Sequence, residues 1–219
     1  MLQERITNLK SELINYAALV ERMIERSIEG LLKRNRKVLQ QVILKDEPKA
    51  NDIEIDLDEH CTSLIAQYEP RARDLRTILM ILKMNNDLER MGDHAVNIAE
   101  SALFLIERPA VKPLIDIPNM AQVTMKMLRE GINSFISENA RLAKAVCEND
   151  SIVDGLRDQI LRELITFMSS DPSTIERSIH LMRISSNLER IADLSTNICE
   201  DVIFMVEGVV IKHHKDEKS

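Results

Sequence analysis

The chain has 219 residues, 29 of them Lys or Arg and 36 Asp or Glu, for a formal net charge of -7, which excludes a generally basic nucleic-acid binder. With 44% apolar and 30% charged residues the composition is that of a globular protein rather than a disordered one. Only 5 Gly and 6 Pro punctuate it, and 2 Tyr, 4 Phe, no Trp and 11 Met leave little material for sheets, so long helices are expected.

The N-terminus, MLQERITNLKSELINY, is charged and patterned as a helix, and the longest apolar run inside a predicted helix is Ile78 to Leu82. Neither a signal peptide nor a membrane span is expected. Helical patterning runs from about Thr7 to Lys45, breaks at KDEPKAND, resumes from about Asp52 to Tyr68, breaks at Pro70 and continues to about Ile106. The basic cluster KRNRK, Lys33 to Lys37, reads as a solvated face of the first helix. Pro109, Pro113 and Pro118 recur at short spacing in RPAVKPLIDIPN and mark a linker over 109–118. It separates a first unit, 1–108, from a second, 119–208. In the second unit helices are expected from about Asn119 to Cys147, Ile152 to Met168 and, past Pro172, on to Glu207, followed by a frayed tail over 209–219. The three cysteines, Cys61, Cys147 and Cys199, have no CxxC spacing and read as small apolar residues kept reduced.

The second half copies the first. NDLERMGDHAVNIAE at 86–100 and SNLERIADLSTNICE at 186–200 share Leu88/Leu188, Glu89/Glu189, Arg90/Arg190, Asp93/Asp193, Asn97/Asn197, Ile98/Ile198 and Glu100/Glu200 at an offset of 100. The same offset pairs Glu54 with Asp154, Asp58 with Asp158, Leu64 with Leu164 and Ile65 with Ile165 on the preceding helix. Two faces of the third helix carry these identities. Ile81, Met84, Leu88, Met91, Ala95, Ile98, Ala102 and Leu105 alternate spacings of three and four, a packing seam. Beside it runs a polar row, Asn86, Glu89, Asp93, Asn97 and Glu100, copied as Ser186, Glu189, Asp193, Asn197 and Glu200. Like charges one turn apart destabilise a helix by a few tenths of a kcal/mol, so packing does not ask for the row.

Glu54 and Asp58 lie as far before a turn centred between residues 73 and 74 as Asp93 and Glu89 lie after it. Asp154, Asp158, Glu189 and Asp193 repeat this about a point between 173 and 174. If the faces align, each antiparallel hairpin gathers four carboxylates, which share a small space near neutral pH only by taking up protons or cations. Spacing alone leaves this open against a solvated acidic face. No His recurs at the offset, so the donors are oxygens, with the Asn97 and Asn197 amides and Glu100 and Glu200 as further or supporting groups. Such a set suits Mg, Ca, Mn or iron rather than a Cys/His zinc site. His60 and His94 adjoin the rows without repeating and stay outside the site; Arg90 and Arg190 read as ion-pair or neighbouring-helix partners.

The doubled carboxylate motifs, the strings DLERMGD and NLERIAD followed by NIAE and NICE, and Pro70-x-Ala72-x-Asp74-Leu75-Arg76 together resemble the PhoU family of phosphate transport regulators, over about Leu9 to Gly208. The resemblance implies an all-α fold of two tandem three-helix bundles related by an internal repeat. It implies multinuclear metal clusters on the bundle surfaces, of iron first, with zinc, manganese or magnesium as alternatives. The ligands would be Glu54, Asp58, Glu89 and Asp93 in one site and Asp154, Asp158, Glu189 and Asp193 in the other. It also implies a cytoplasmic, homodimeric, non-enzymatic negative regulator of phosphate uptake and of the phosphate-starvation response. Its partners would be the phosphate ABC transporter's ATPase and a sensor histidine kinase, with membrane contact only through them. The sequence departs from the family string ERIGD with ERMGD and ERIAD, and its second half lacks the Pro-x-Ala-x-Asp-Leu-Arg element, so the two sites need not be equivalent. A metal-dependent phosphohydrolase and a metal-free helical adaptor are the competing readings.

Overall fold

The computed structural model describes residues 2–208. The expected frayed tail, 209–219, lies outside them. Among the described residues eight α-helices carry the fold: α1 (Leu2–Leu32), α2 (Arg36–Gln41), α3 (Glu47–Tyr68), α4 (Ala72–Ile106), α5 (Asp116–Ile136), α6 (Ala140–Cys147), α7 (Asp150–Ser170) and α8 (Ile175–Glu207). There is no strand among the described residues, and no helix among them is long and apolar enough to cross a membrane.

Each predicted first helix is broken in two, which the apolar pattern does not reveal. Arg34 (φ 51°) and Glu138 (φ 48°) take the left-handed conformation, and the backbone amides behind them reach back five residues, Asn35 to the Gly30 carbonyl at 2.8 Å and Asn139 to Ser134 at 2.9 Å. That closes the helix as a Schellman-type end. Asn35 then caps α2 by accepting from the Lys37 and Val38 amides, and Asn139 caps α6 by accepting from Leu142. KRNRK is therefore a turn and a cap rather than a helix face.

KDEPKAND does not interrupt the helix either. Val42–Asp46 forms a π-helical turn that leads directly into α3, and Pro48, which has no N–H to donate back into that turn, stands just after it. The linker is likewise shorter than expected, because α5 starts at Asp116 and Pro118 lies in its first turn. Buried Lys112 ties the linker down by donating to Asp116 Oδ2 at 2.6 Å and to Glu163 on α7.

Helices α1, α3 and α4 form one bundle and α5, α7 and α8 the other. Their third helices pack antiparallel: going up α4, Lys83, Asp87 and Phe104 meet Asp201, Asn197 and His180 going down α8, the last pair stacked with ring centroids 3.9 Å apart. The first helices cross the same way, Lys10 pairing with Glu138 at 2.7 Å and Arg129 donating from Nε to Glu21 at 2.9 Å. One hydrophobic core runs through both bundles. The predicted seam from Ile81 to Ala102 is fully buried, each large side chain contributing about 1.5–3 kcal/mol through its removal from water. Helices α3 and α7 pack within their own bundles, and their outer faces are exposed.

The repeat slides along the chain. Buried Leu13, Tyr16, Met23 and Leu31 of α1 correspond to Ile117, Met120, Met127 and Phe135 of α5, an offset of 104. On the middle helices Ala50, Leu57 and Cys61 correspond to Val153, Ile160 and Leu164, an offset of 103. Only on α4 and α8 is the offset 100, as Ile78, Ile81, Met84 and Leu88 against Ser178, Leu181, Ile184 and Leu188 show. The one-residue step falls at the π-turn of the first half, since a π-turn winds one extra residue into a helix without rotating its flanks. The three-residue step falls at the α3–α4 and α7–α8 corners.

Candidate metal centres

The slide corrects the pairing of the carboxylates on the middle helices. Set by packing, Glu54 corresponds to Arg157 and Asp58 to Leu161, while Glu47 corresponds to Asp150. Asp154 and Asp158 instead match Asn51 and Ile55. Glu47 and Asp150 are members of the clusters that an offset of 100 could not find, because it pairs them with Cys147 and Ala50.

In the first half, Glu54 and Glu89 face each other across α3 and α4, with Asp93 one turn above Glu89 and Glu47 beyond it. Partial burial, then the Asp93 and Glu54 charges, pushes the Glu89 carboxyl above its usual range, and Arg90 offsets this only in part. Glu54 is raised by burial and by Asp58, and Glu47 by burial, Asp93 and Glu100. Asp58 is held by Asn85, whose Nδ2 donates to Asp58 Oδ1 at 2.8 Å and to the Glu54 carbonyl at 2.9 Å. Beneath them, α1 places Tyr16 with none of its surface exposed and its hydroxyl without a hydrogen-bond partner. Burial most of all, then the Glu89, Glu54 and Asp93 charges, pushes the phenol's pKa above the ordinary tyrosine range. The Asn85 Oδ1 is also buried and unpaired. An orphaned buried polar atom costs about 1–3 kcal/mol, and two of them here border one carboxylate cluster. Asn97 and Glu100 lie exposed on the same edge of α4.

The second half is built differently. Asp193 is pushed up to about 6 by burial and by the Glu189, Asp150 and Asp154 charges, against Arg190. Arg157 reaches into this cluster and bonds Glu189 at 2.6 Å and Asp158 at 3.0 Å, and Asp158 is otherwise exposed. Asn197 hydrogen-bonds to Asp87 of the other bundle. Burial and the Asp201 charge push Asp87 itself up to about 6. Glu200 lies half-buried near Cys147 and Cys199, whose thiols hydrogen-bond to each other. The cluster opens onto a groove of about 480 Å³ between the bundles, lined in part by Arg90, His94 and Arg190. His94 bonds Asn187 at 2.8 Å and His60 bonds Glu12 at 2.8 Å, so neither histidine joins a cluster.

The donor sets are hard oxygens, which fit Mg, Mn, Ca or iron, and in the first half the repulsion among them is relieved only in part, by Arg90. Among the described residues, no three His, Cys, Asp or Glu side chains converge closely enough to hold a metal ion as they stand. Chemistry and charge therefore suit a cation, while ligation requires the carboxylates to swing inward.

A family model described as the PhoU domain matches residues 13–102 and again 117–202. The chain belongs to the PhoU family. The two matches begin 104 residues apart and end 100 apart, the same slide that packing reveals. The phosphate-specific transport system accessory protein PhoU homolog of Aquifex aeolicus is 40% identical over 218 residues, covering 99% of this chain and 98% of that protein. PhoU homolog 2 of Thermotoga maritima is 32% identical over 217 residues, 99% and 92% of the two chains. The crystal structure of PhoU from Pseudomonas aeruginosa has a TM-score of 0.92 and 32% identity, covering 95% of this chain and 100% of that one. That of PhoU from Streptococcus pneumoniae, at 24% identity and a TM-score of 0.90, shares the fold. The two tandem bundles are thus a PhoU architecture.

Proposed function

We propose that the protein is a non-catalytic, cation-binding regulator of phosphate uptake that restrains the phosphate-starvation response. It acts in the cytoplasm as a homodimer, through contact with the ATPase of a phosphate ABC transporter and with a sensor histidine kinase. The family membership supports the link to phosphate transport. The observation that carries the cation reading is the buried, unpaired Tyr16 hydroxyl under the Glu54, Glu89 and Asp93 carboxylates, with Glu47 repelled by Asp93 beside them. A cation bound there, iron by preference or zinc, manganese or magnesium, supplies the positive charge that relieves this repulsion. Glu47 and Glu54 would bind from α3, Glu89 and Asp93 from α4, and Asn85 holds Asp58 beside them. Ligands on two helices cross-link the open edge of the bundle, so occupancy sets how firmly α3 sits on α4. No Gly-rich phosphate loop or paired acid and base accompanies the clusters, which favours regulation over turnover.

Elemental analysis of the full chain purified without added metal is expected to find bound metal that falls in the Glu89→Ala, Glu189→Ala double variant. Equal metal in both preparations, or none in either, removes the reading. Co-purification with the transporter ATPase and the kinase tests the partners separately.

A further inference from the structure

The two clusters differ most at one matched position. Where α3 brings Glu54 against Glu89, the register of α7 brings Arg157 against Glu189. At the four matched positions the first cluster carries four negative charges, Glu47, Glu54, Glu89 and Asp93. The second carries three there, Asp150, Glu189 and Asp193, and one positive; Asp154, matched to neutral Asn51, adds a further carboxylate to it. We propose that Arg157 is a tethered counter-cation that keeps the second cluster closed, so that the first cluster takes up cations earlier and more tightly.

The inference rests on the cation-binding reading above and adds an order of filling to it. Arg157 donates from Nη1 to Glu189 Oε1 at 2.6 Å and from Nη2 and Nε to Asp158 Oδ1 at 3.0 and 3.3 Å. Charge-assisted bonds of this kind are about twice as strong as neutral ones. A metal ion that uses Glu189 must first displace a guanidinium held on the same scaffold, which never diffuses away. Among the described residues no guanidinium or ammonium pairs with Glu47, Glu54, Glu89 or Asp93; Arg90 lies beside Asp87 at 3.7 Å and offsets the charge on Glu89 only in part. The floors differ in the same sense. Tyr16 offers an unsatisfied hydroxyl beneath the first cluster, and its counterpart beneath the second is buried Met120, which offers none.

Mn2+ titrated into the chelator-stripped full chain, with the free aquo ion followed by electron paramagnetic resonance, reads the filling order. The wild-type protein is expected to show one tight class that Asp93→Asn removes and Asp193→Asn leaves in place. Arg157→Glu places a carboxylate where the first cluster has Glu54 and should tighten the second on the order of tenfold to a hundredfold. Arg157→Gln, which keeps the length and loses the charge, should tighten it in the same direction and decides the matter if the Glu variant does not fold. Glu54→Arg should abolish the tight class. Two equal classes in the wild type, one lost with each Asp→Asn change, overturn the inference while leaving the cation reading intact. So does an unchanged second cluster in folded Arg157→Gln. Absence of Mn2+ uptake by every variant overturns both.

Discussion

Below the kink of the first half, Leu39 of α2 fills the space beside Gly30; in the second half Ala143 and Ser134 occupy the matched positions. A Cβ added at Gly30 would lie 2.5 Å from Leu39 Cδ2, so the small residue and the large one require each other. The same kink is thus packed with its bulk moved from one partner to the other. The clusters contrast in charge and polarity rather than volume: Glu54 against Arg157, and Tyr16 against Met120. The repeat keeps backbone geometry, while individual positions trade size and, at the surface, sign. Homology between the halves is therefore a guide to fold and a poor guide to which half binds.

The packing contrast can be broken most forcefully. Leu39→Ala should cost about 2–5 kcal/mol of unfolding free energy in urea titration, because a fully buried side chain leaves a cavity. Gly30→Ser alone should cost about 1–3 kcal/mol through overpacking. The double variant, which copies the second half, should cost clearly less than the sum; strict additivity would show that the two positions do not share one space.

The contrast beneath the clusters is sharpened by Tyr16→Phe. With chelator present it should raise stability by about 1 kcal/mol, since it deletes an unpaired buried hydroxyl, and so lift the thermal midpoint by roughly 2–4 °C. A drop of that size would mean the hydroxyl is satisfied in the metal-free fold.

The smallest effect is electrostatic. Asp193 has its value raised to about 6 in the folded chain from an ordinary 3.8, so its contribution to stability is complete below about pH 4 and is lost as pH rises through 6. Asp193→Asn removes that loss. The metal-free variant should be the more stable at pH 7.5, by less than about 1 kcal/mol because the group is exposed and screened, with the two proteins converging below pH 4. Asp87 titrates in the same direction in both proteins and cancels from the difference.

Periodicity and punctuation made much of this legible. The seam from Ile81 to Ala102, the carboxylate row of α4 and its copy on α8 were readable because a helix places residues three and four apart on one face. The kinks at Arg34 and Glu138 were not, because non-glycine residues take the left-handed position there and no Gly or Pro signals it. Glu47 and Asp150 were missed for a related reason: a fixed offset assumes that no residue is gained or lost between helices, and the π-turn and the two corners each change the count. The order of helices, the repeat and the residue types at the clusters are local properties, written in the chain at separations of a few residues. Which α7 residue meets Glu189, and whether it attracts or repels a cation there, depends on how far one helix slides along another. Core packing of Val153, Ile160 and Leu164 decides that slide, and Arg157 follows from it.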